Sequence, residues 1–161
     1  MFRPLLLTLF CALAPLTVAA QNANVSFGGL KQDTRLPVEV KAETLNVNQA
    51  DGSATFTGNV RVAQGEMRLA AQSVRVEYGE SGKSIEKLHA TGGVTLASAT
   101  DAAEAKEAVY TIATGLVVMT GDVLLTQGKS AISGQKLVID LKAGTGRMEG
   151  GVSTIFVPGG N

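Results

Sequence analysis

The sequence predicts an all-β protein whose antiparallel strands form a repeated unit, and three observations carry that prediction. A phrase that begins at Ala54, "ATFTGNVRVAQG", returns at Val117 as "VVMTGDVLLTQG", with Thr, Gly, Val, Gln and Gly in the same places. Within these segments apolar and polar residues alternate, the period of a strand with one buried and one solvated face. The composition, with 19 Gly, 4 Pro, no Trp and many Val, Ala, Thr and Leu residues, suits short strands joined by tight turns.

Taken from the start, residues 1–20 read as a cleaved signal peptide. Arg3 supplies the positive flank, Pro4 to Val18 the apolar run, and Val18-Ala19-Ala20 the small residues before the cut. The run is shorter than the roughly 20 apolar residues of a spanning helix, which argues against an uncleaved anchor. Cys11, behind the bulky Phe10 and inside that run, does not suit a lipoprotein signal. Residues 21–36 are expected to be a flexible N-terminal lead, 37–157 the folded domain and 158–161 a C-terminal tail. Cleavage would leave 13 basic and 14 acidic residues and no cysteine. Such a chain forms no disulfide and has no basic excess to hold a nucleic acid by charge alone.

Inside the domain the opening phrase occurs four times: Phe56-Thr-Gly-Asn-Val60, Ala90-Thr-Gly-Gly-Val94, Met119-Thr-Gly-Asp-Val123 and Met148-Glu-Gly-Gly-Val152. A second element precedes each one: Ala42-Glu-Thr-Leu45, Ala71-Gln-Ser-Val74, Ala105-Lys-Glu-Ala108 and Gly134-Gln-Lys-Leu137. The distance from second element to phrase glycine is 13 residues in three units and 18 in the second, with the excess in the polar stretch from Gly79 to Ser84. An insertion of that kind belongs in a surface loop. Turns are expected at Asp51-Gly52, Ala113 to Gly115 and Gly144 to Gly146. Thr100 to Glu107, rich in Ala and Glu, is read as an irregular lead into a strand. The phrase glycines fall at inward positions in this reading, where a missing side chain permits a bulge or a sharp bend. Units of this size cannot bury their apolar faces alone, so they must stack, between two sheets or on one sheet folded over itself.

The chemistry is sparse. His89 is the single histidine, on the solvated face of its strand, and neither a nucleophile motif nor a metal-ligand spacing is present. Glu39, Glu43, Asp122 and Asp140 sit on outward faces or strand starts. With five Phe, two Tyr and no Trp, no stacking platform for a sugar accompanies them. The residues therefore point away from an enzyme, with no cofactor and no metal.

Two features point to binding. An apolar interior is expected from Val47, Phe56, Val60, Val62, Leu69, Val74, Leu88, Val94, Leu96, Met119, Val123, Leu125, Ile132, Leu137, Ile139 and Met148. It is either a packed core or a groove for alkyl chains, in which each buried methylene contributes about 0.8 kcal/mol. The first strand, with Val38 and Val40, and the last, with Ile155 and Val157, are expected to be edges that invite another strand, head to tail.

The stretch "LPVEVKAETLNVNQADG" at 36–52, continued by "ATFTGNVRVAQGEMRLAAQSVRV" at 54–76, "MTGDVLLTQGKSAISGQKLVIDL" and "STIFVP", resembles the LptA/OstA family of periplasmic lipopolysaccharide transport proteins. The resemblance implies a twisted β-jellyroll whose interior shelters the acyl chains of lipid A. It also implies end-to-end joining of copies, with an LptC-like inner-membrane protein at one end and an LptD-like outer-membrane protein at the other. No catalytic residue or cofactor is implied. The near balance of charge departs from a broadly basic surface, with Arg61, Arg68 and Arg75 either a modest local patch for lipid phosphates or part of a solvated face. The expected function is a periplasmic lipopolysaccharide carrier and bridge. The alternatives are a structural β-repeat protein with a filled core and, more distantly, a polysaccharide-modifying enzyme.

Overall fold

In the computed structural model, which describes residues 23–26 and 28–158, eleven strands follow one another with a single 3-10 turn, Gly28–Leu30, as the helical element among them. They are β1 (Ala23–Ser26), β2 (Glu39–Lys41), β3 (Thr44–Asn48), β4 (Ser53–Gln64), β5 (Met67–Tyr78), β6 (Ile85–Ala97), β7 (Asp101–Thr111), β8 (Leu116–Gln127), β9 (Ser130–Asp140), β10 (Thr145–Glu149) and β11 (Ser153–Ile155). The expected signal peptide, 1–20, lies outside the described residues, as do residues 159–161 of the expected tail.

All strands belong to one antiparallel sheet in the order β1-β10-β9-β8-β7-β6-β5-β4-β2, with β3 also on β4 and β11 also on β9. Each long strand breaks register near its middle, and the β5–β6 pair shifts again at its end, between Glu77 and Tyr78. The central breaks fall between Thr57 and Val60, Ala70 and Ser73, Thr91 and Val94, Glu104 and Glu107, and Thr120 and Val123. Aligned in a row, they divide the sheet into two halves. Half A contains β3, the first parts of β4, β6 and β8, the second parts of β5, β7 and β9, then β10 and β1. Half B contains the complementary parts with β2 at one end and β11 at the other.

The halves face each other. Gln64 in half B accepts a hydrogen bond of 2.8 Å from the hydroxyl of Tyr110 in half A. Strands β4 and β7 are three places apart in the sheet, about 14 Å along a flat surface, so only a sheet folded over itself brings these side chains together. Folding is also what hides the apolar face, because no helix covers it among the described residues. Strands change sheet at bulges, the usual corner of such a sandwich.

The repeated phrase makes these corners. Gly58, Gly92, Gly121 and Gly150 have φ between 82° and 86°, and the residues that follow, Asn59, Gly93, Asp122 and Gly151, also have positive φ. Asn, Asp and Gly are the residues that tolerate this region best. The phrase glycines do not point inward as expected. A Cβ at Gly58, Gly92, Gly121 or Gly150 would meet Glu43, Gln72, Lys106 or Gln135, each exposed and each the second residue of its unit's preceding element. Each bulge sets two residues of the glycine strand against one of its partner, which interrupts the alternation locally and turns the glycine outward beneath a polar side chain.

Other elements differ from expectation as well. Thr100–Glu107 is not an irregular lead, because Asp101 onward is regular strand paired on both sides. Flanking strands override the helical preference of an Ala- and Glu-rich segment. The segment read as a lead is packed on the domain: β1 pairs with β10, and Leu30 is 1% exposed. The turns near Gly52 and Gly115 and the loop at 79–84 stand where they were expected, and the β9–β10 turn begins slightly earlier, at 141–144.

Candidate functional site

Of the sixteen residues expected to line the interior, fourteen are buried in one continuous apolar core: Val60, Val62, Leu69, Val74, Leu88, Val94, Leu96, Met119, Val123, Leu125, Ile132, Leu137, Ile139 and Met148. Phe56 packs against it while partly exposed. Val47 is corrected. It is 64% exposed, and its neighbour Leu45 is 52% exposed. Both lie on β3, the outermost strand of half A, where half B offers only the three-residue β2 and nothing among the described residues closes over the end.

Alternation also left core residues unnoticed. Val76 and Val117 are buried, as are Ala54, Ala71, Ala90, Ala103 and Ala108. Alanine carries little signal of burial in a pattern because it is common on both faces.

One polar cluster lies within the apolar interior. Gln64, 1% exposed, accepts hydrogen bonds from Tyr110 OH (2.8 Å) and Gln32 Nε2 (3.0 Å) at its Oε1. Its own Nε2 donates to the carbonyls of Thr34 and Leu36, both at 2.9 Å. Gln32 Nε2 also approaches Met67 Sδ at 3.6 Å, and Gln32 Oε1 is buried without a partner among the described residues. Burial pushes the Tyr110 hydroxyl up to about 12, against a smaller opposite effect of the Gln64 hydrogen bond. The signal for this cluster was in the sequence: Gln64 has the inward parity of Val60 and Val62, and an amide there needs partners.

The outer face gives a modest cationic hollow. Lys41, Arg61 and Arg68 line a depression of about 540 Å³ floored by Ala63, Ala70 and Ala97, with Glu39 at its rim. Arg75 belongs elsewhere, 3.0 Å from Asp51 and 3.9 Å from Glu77. His89 lies on the outer face, as expected, 3.6 Å from Glu107. No group of three His, Cys, Asp or Glu is placed to hold a metal among the described residues.

The ends of the sandwich are open sheet edges. At one end they are β3 and β2, the latter carrying the expected edge residue Val40, with Val38 just before it; both valines are partly buried against the core. At the other end they are β11 and β1. The expected edge residues Ile155 and Val157 are exposed there, together with Phe156, at 72%. That β1 covers β10 at this end was not foreseen, since strand pairing between the first and last segments leaves no local pattern.

A model of the family described as LptA/(LptD N-terminal domain) LPS transport protein matches residues 39–145. The chain is similar to an uncharacterized protein of Rhizobium meliloti (strain 1021), 25% identical over 138 residues, covering 81% of this chain and 74% of that protein. It is also similar to the lipopolysaccharide export system protein LptA of Escherichia coli (strain K12), 28% identical over 116 residues, 68% of this chain. That match spans 63% of the Escherichia coli protein's length, a little under two thirds. Among solved structures, that of LptH, the LptA-homologous periplasmic component of the lipopolysaccharide transport device of Pseudomonas aeruginosa, aligns with a TM-score of 0.70. The alignment covers 78% of this chain and 99% of that one at 18% identity, a likeness of fold.

Proposed function

Because the chain belongs to the LptA/(LptD N-terminal domain) LPS transport protein family, we propose that it is a periplasmic carrier and bridge for lipopolysaccharide, exported by a cleaved signal peptide at residues 1–20. The observation that supports this most is the continuous apolar interior between two facing half-sheets, with sheet edges at both ends that no strand among the described residues pairs. Acyl chains of lipid A would replace side-chain contacts in that interior, each methylene removed from water contributing about 0.8 kcal/mol. Edge strands would accept strands from neighbours, so that copies join head to tail, with an LptC-like inner-membrane protein at one end of the row and an LptD-like outer-membrane protein at the other. The chain's own role needs no bond-making chemistry and no cofactor.

The closed state of the interior favours a second reading, a structural β-repeat protein whose core is filled by its own side chains. A photo-crosslinking residue placed at Phe56 or Leu137 separates the two. Lipopolysaccharide adducts in cells well above those from the exposed position Thr57 are expected of the carrier, and equal labelling would refute it. For bridging, Ile155→Asp or Val157→Asp should weaken self-association while leaving the melting temperature nearly unchanged, since both side chains are exposed.

A further inference from the structure

We infer that the segment from Gly28 to Leu36 is a strap across the way into the interior, and that an anionic amphiphile enters by taking the niche of Leu30 with its alkyl chain. The inference rests on the carrier reading above. Along one side of the sandwich the half-sheets are joined by the row of bulges, so backbone seals that side. Along the other side they end separately in turns, at 49–52, 79–84, 112–115 and 141–144 on half A, and at 65–66, 98–100 and 128–129 on half B. Among the described residues this leaves a lateral mouth between the two rows of turns.

The strap lies in that mouth and touches both rows. On the half A side the Gln32 amide donates to Leu141 O at 2.9 Å. Residues 34–38 line a hollow with Ser84, Ile85, Ile112, Ala113 and Lys142. On the half B side a Cβ at Gly29 would fall against Thr100 Oγ1 and 2.8 Å from Asp101 Oδ2, and a Cβ at Gly65 would come 3.0 Å from Leu36 Cδ1. Between these contacts Leu30 enters the core and is 1% exposed.

The strap is also the wall most easily moved. Neighbouring long strands share an extended backbone ladder, whereas residues 32–36 are held by the backbone bond from Gln32 N–H to Leu141 O and by side-chain hydrogen bonds with Gln64, which accepts from Gln32 and donates to the Thr34 and Leu36 carbonyls. The same cluster keeps Gln32 Oε1 buried and unpartnered, a cost of the closed state that opening relieves by exposing the amide to water. An alkyl chain can take Leu30's place without burying a new polar group. Lys31, Arg35 and Lys142 line the hollow outside the strap, with Asp33 the single acidic side chain there and already bound to Arg35 at 2.9 Å. Such a rim suits an anionic headgroup.

The test joins the strap to half B. Gly29→Cys and Thr100→Cys are introduced into a Cys11→Ser background, and binding of 11-(dansylamino)undecanoic acid is followed by fluorescence with the pair oxidised and reduced. Reduced protein should bind; oxidised protein, folded by circular dichroism, should bind at least tenfold more weakly or with a tenfold slower association. Equal affinity and rate in the two forms would overturn the strap and leave the carrier reading standing. Should the disulfide prevent folding, Leu30→Ala decides, with association expected to be several-fold faster and an unchanged rate counting against the strap. Absence of binding to every form, the Leu30→Ala variant included, would overturn the carrier reading and the strap with it.

Discussion

Replacing Gly121 by alanine tests the corner that folds the sheet. The residue has φ of +86°, beyond the small left-handed well near +50° to +70° that L-residues occupy. Holding alanine in a left-handed conformation costs about 1–2 kcal/mol. A Cβ would also stand 2.9 Å from both Cβ and Cδ of Lys106. The Lys106 Cδ can swing away, but its Cβ is fixed by the strand, so the corner must shift. Overpacking of this sort costs about 1–3 kcal/mol. Together these give a loss of about 3 kcal/mol.

Gly52 is the control. It has φ of +62° and nothing within 4 Å of its missing Cβ, so Gly52→Ala should cost only the backbone share, about 1 kcal/mol. Urea denaturation followed by far-UV circular dichroism gives both values, and thermal melting should lower Tm by about 10 °C and about 3 °C respectively. Adding Lys106→Ala to Gly121→Ala should recover part of the loss, since it removes the Cγ and Cδ contacts and leaves the Cβ. A Gly121→Ala variant no less stable than Gly52→Ala would refute the account of the corner.

Other consequences can be measured in the same system. Tyr110 has a folded pKa raised to about 12 from an ordinary 10. The unfolded chain therefore loses this proton first, and stability present below pH 10 should decline by on the order of 2 kcal/mol as pH rises toward 12; Tyr110→Phe should flatten that decline. The Arg35 side chain and amide hydrogen bonds hold the Asp33 carboxyl down to about 2, so its stabilisation of the strap's turn is present above about pH 4 and lost as pH falls through about 2. An NMR titration should find that midpoint, and Arg35→Ala should move it part of the way back toward the ordinary carboxylate range, since the backbone N–H at position 35 still donates to Asp33. Leu125→Ala, fully buried, should cost about 3 kcal/mol in urea melts, and Leu124→Ala on the opposite face less than about 1 kcal/mol. Val47→Lys should weaken self-association in sedimentation velocity with little change in stability, because β3 is an uncharged edge and a lysine there guards it; unchanged association would remove β3 from the joint.

What the sequence disclosed and what it hid divide along a physical line. Period-two alternation is a local property, so it placed fourteen interior residues from Val60 to Met148 correctly and predicted strands where neighbouring strands exist on both sides. The same alternation misplaced Val47, whose pattern is identical but whose strand has no facing partner. Burial belongs to the pair of surfaces, and only one of them is written in the strand itself. The phrase glycines show the same limit at shorter range. Their recurrence announced a bend, yet two successive left-handed residues interrupt the alternation, and the side on which Gly121 points follows from the bend rather than from parity. The strap was hidden most fully. Residues 28–36 carry no periodic pattern, and their place is set by Gln64 and Tyr110, whose hydrogen bond exists only after the sheet has folded over. That attachment bears on function. The strap is fastened by side chains from both half-sheets rather than by the ladders that build them, so the opening proposed above leaves those ladders intact, and the one inward amide in the phrase "VRVAQG" is where a scaffold repeat becomes a fastening.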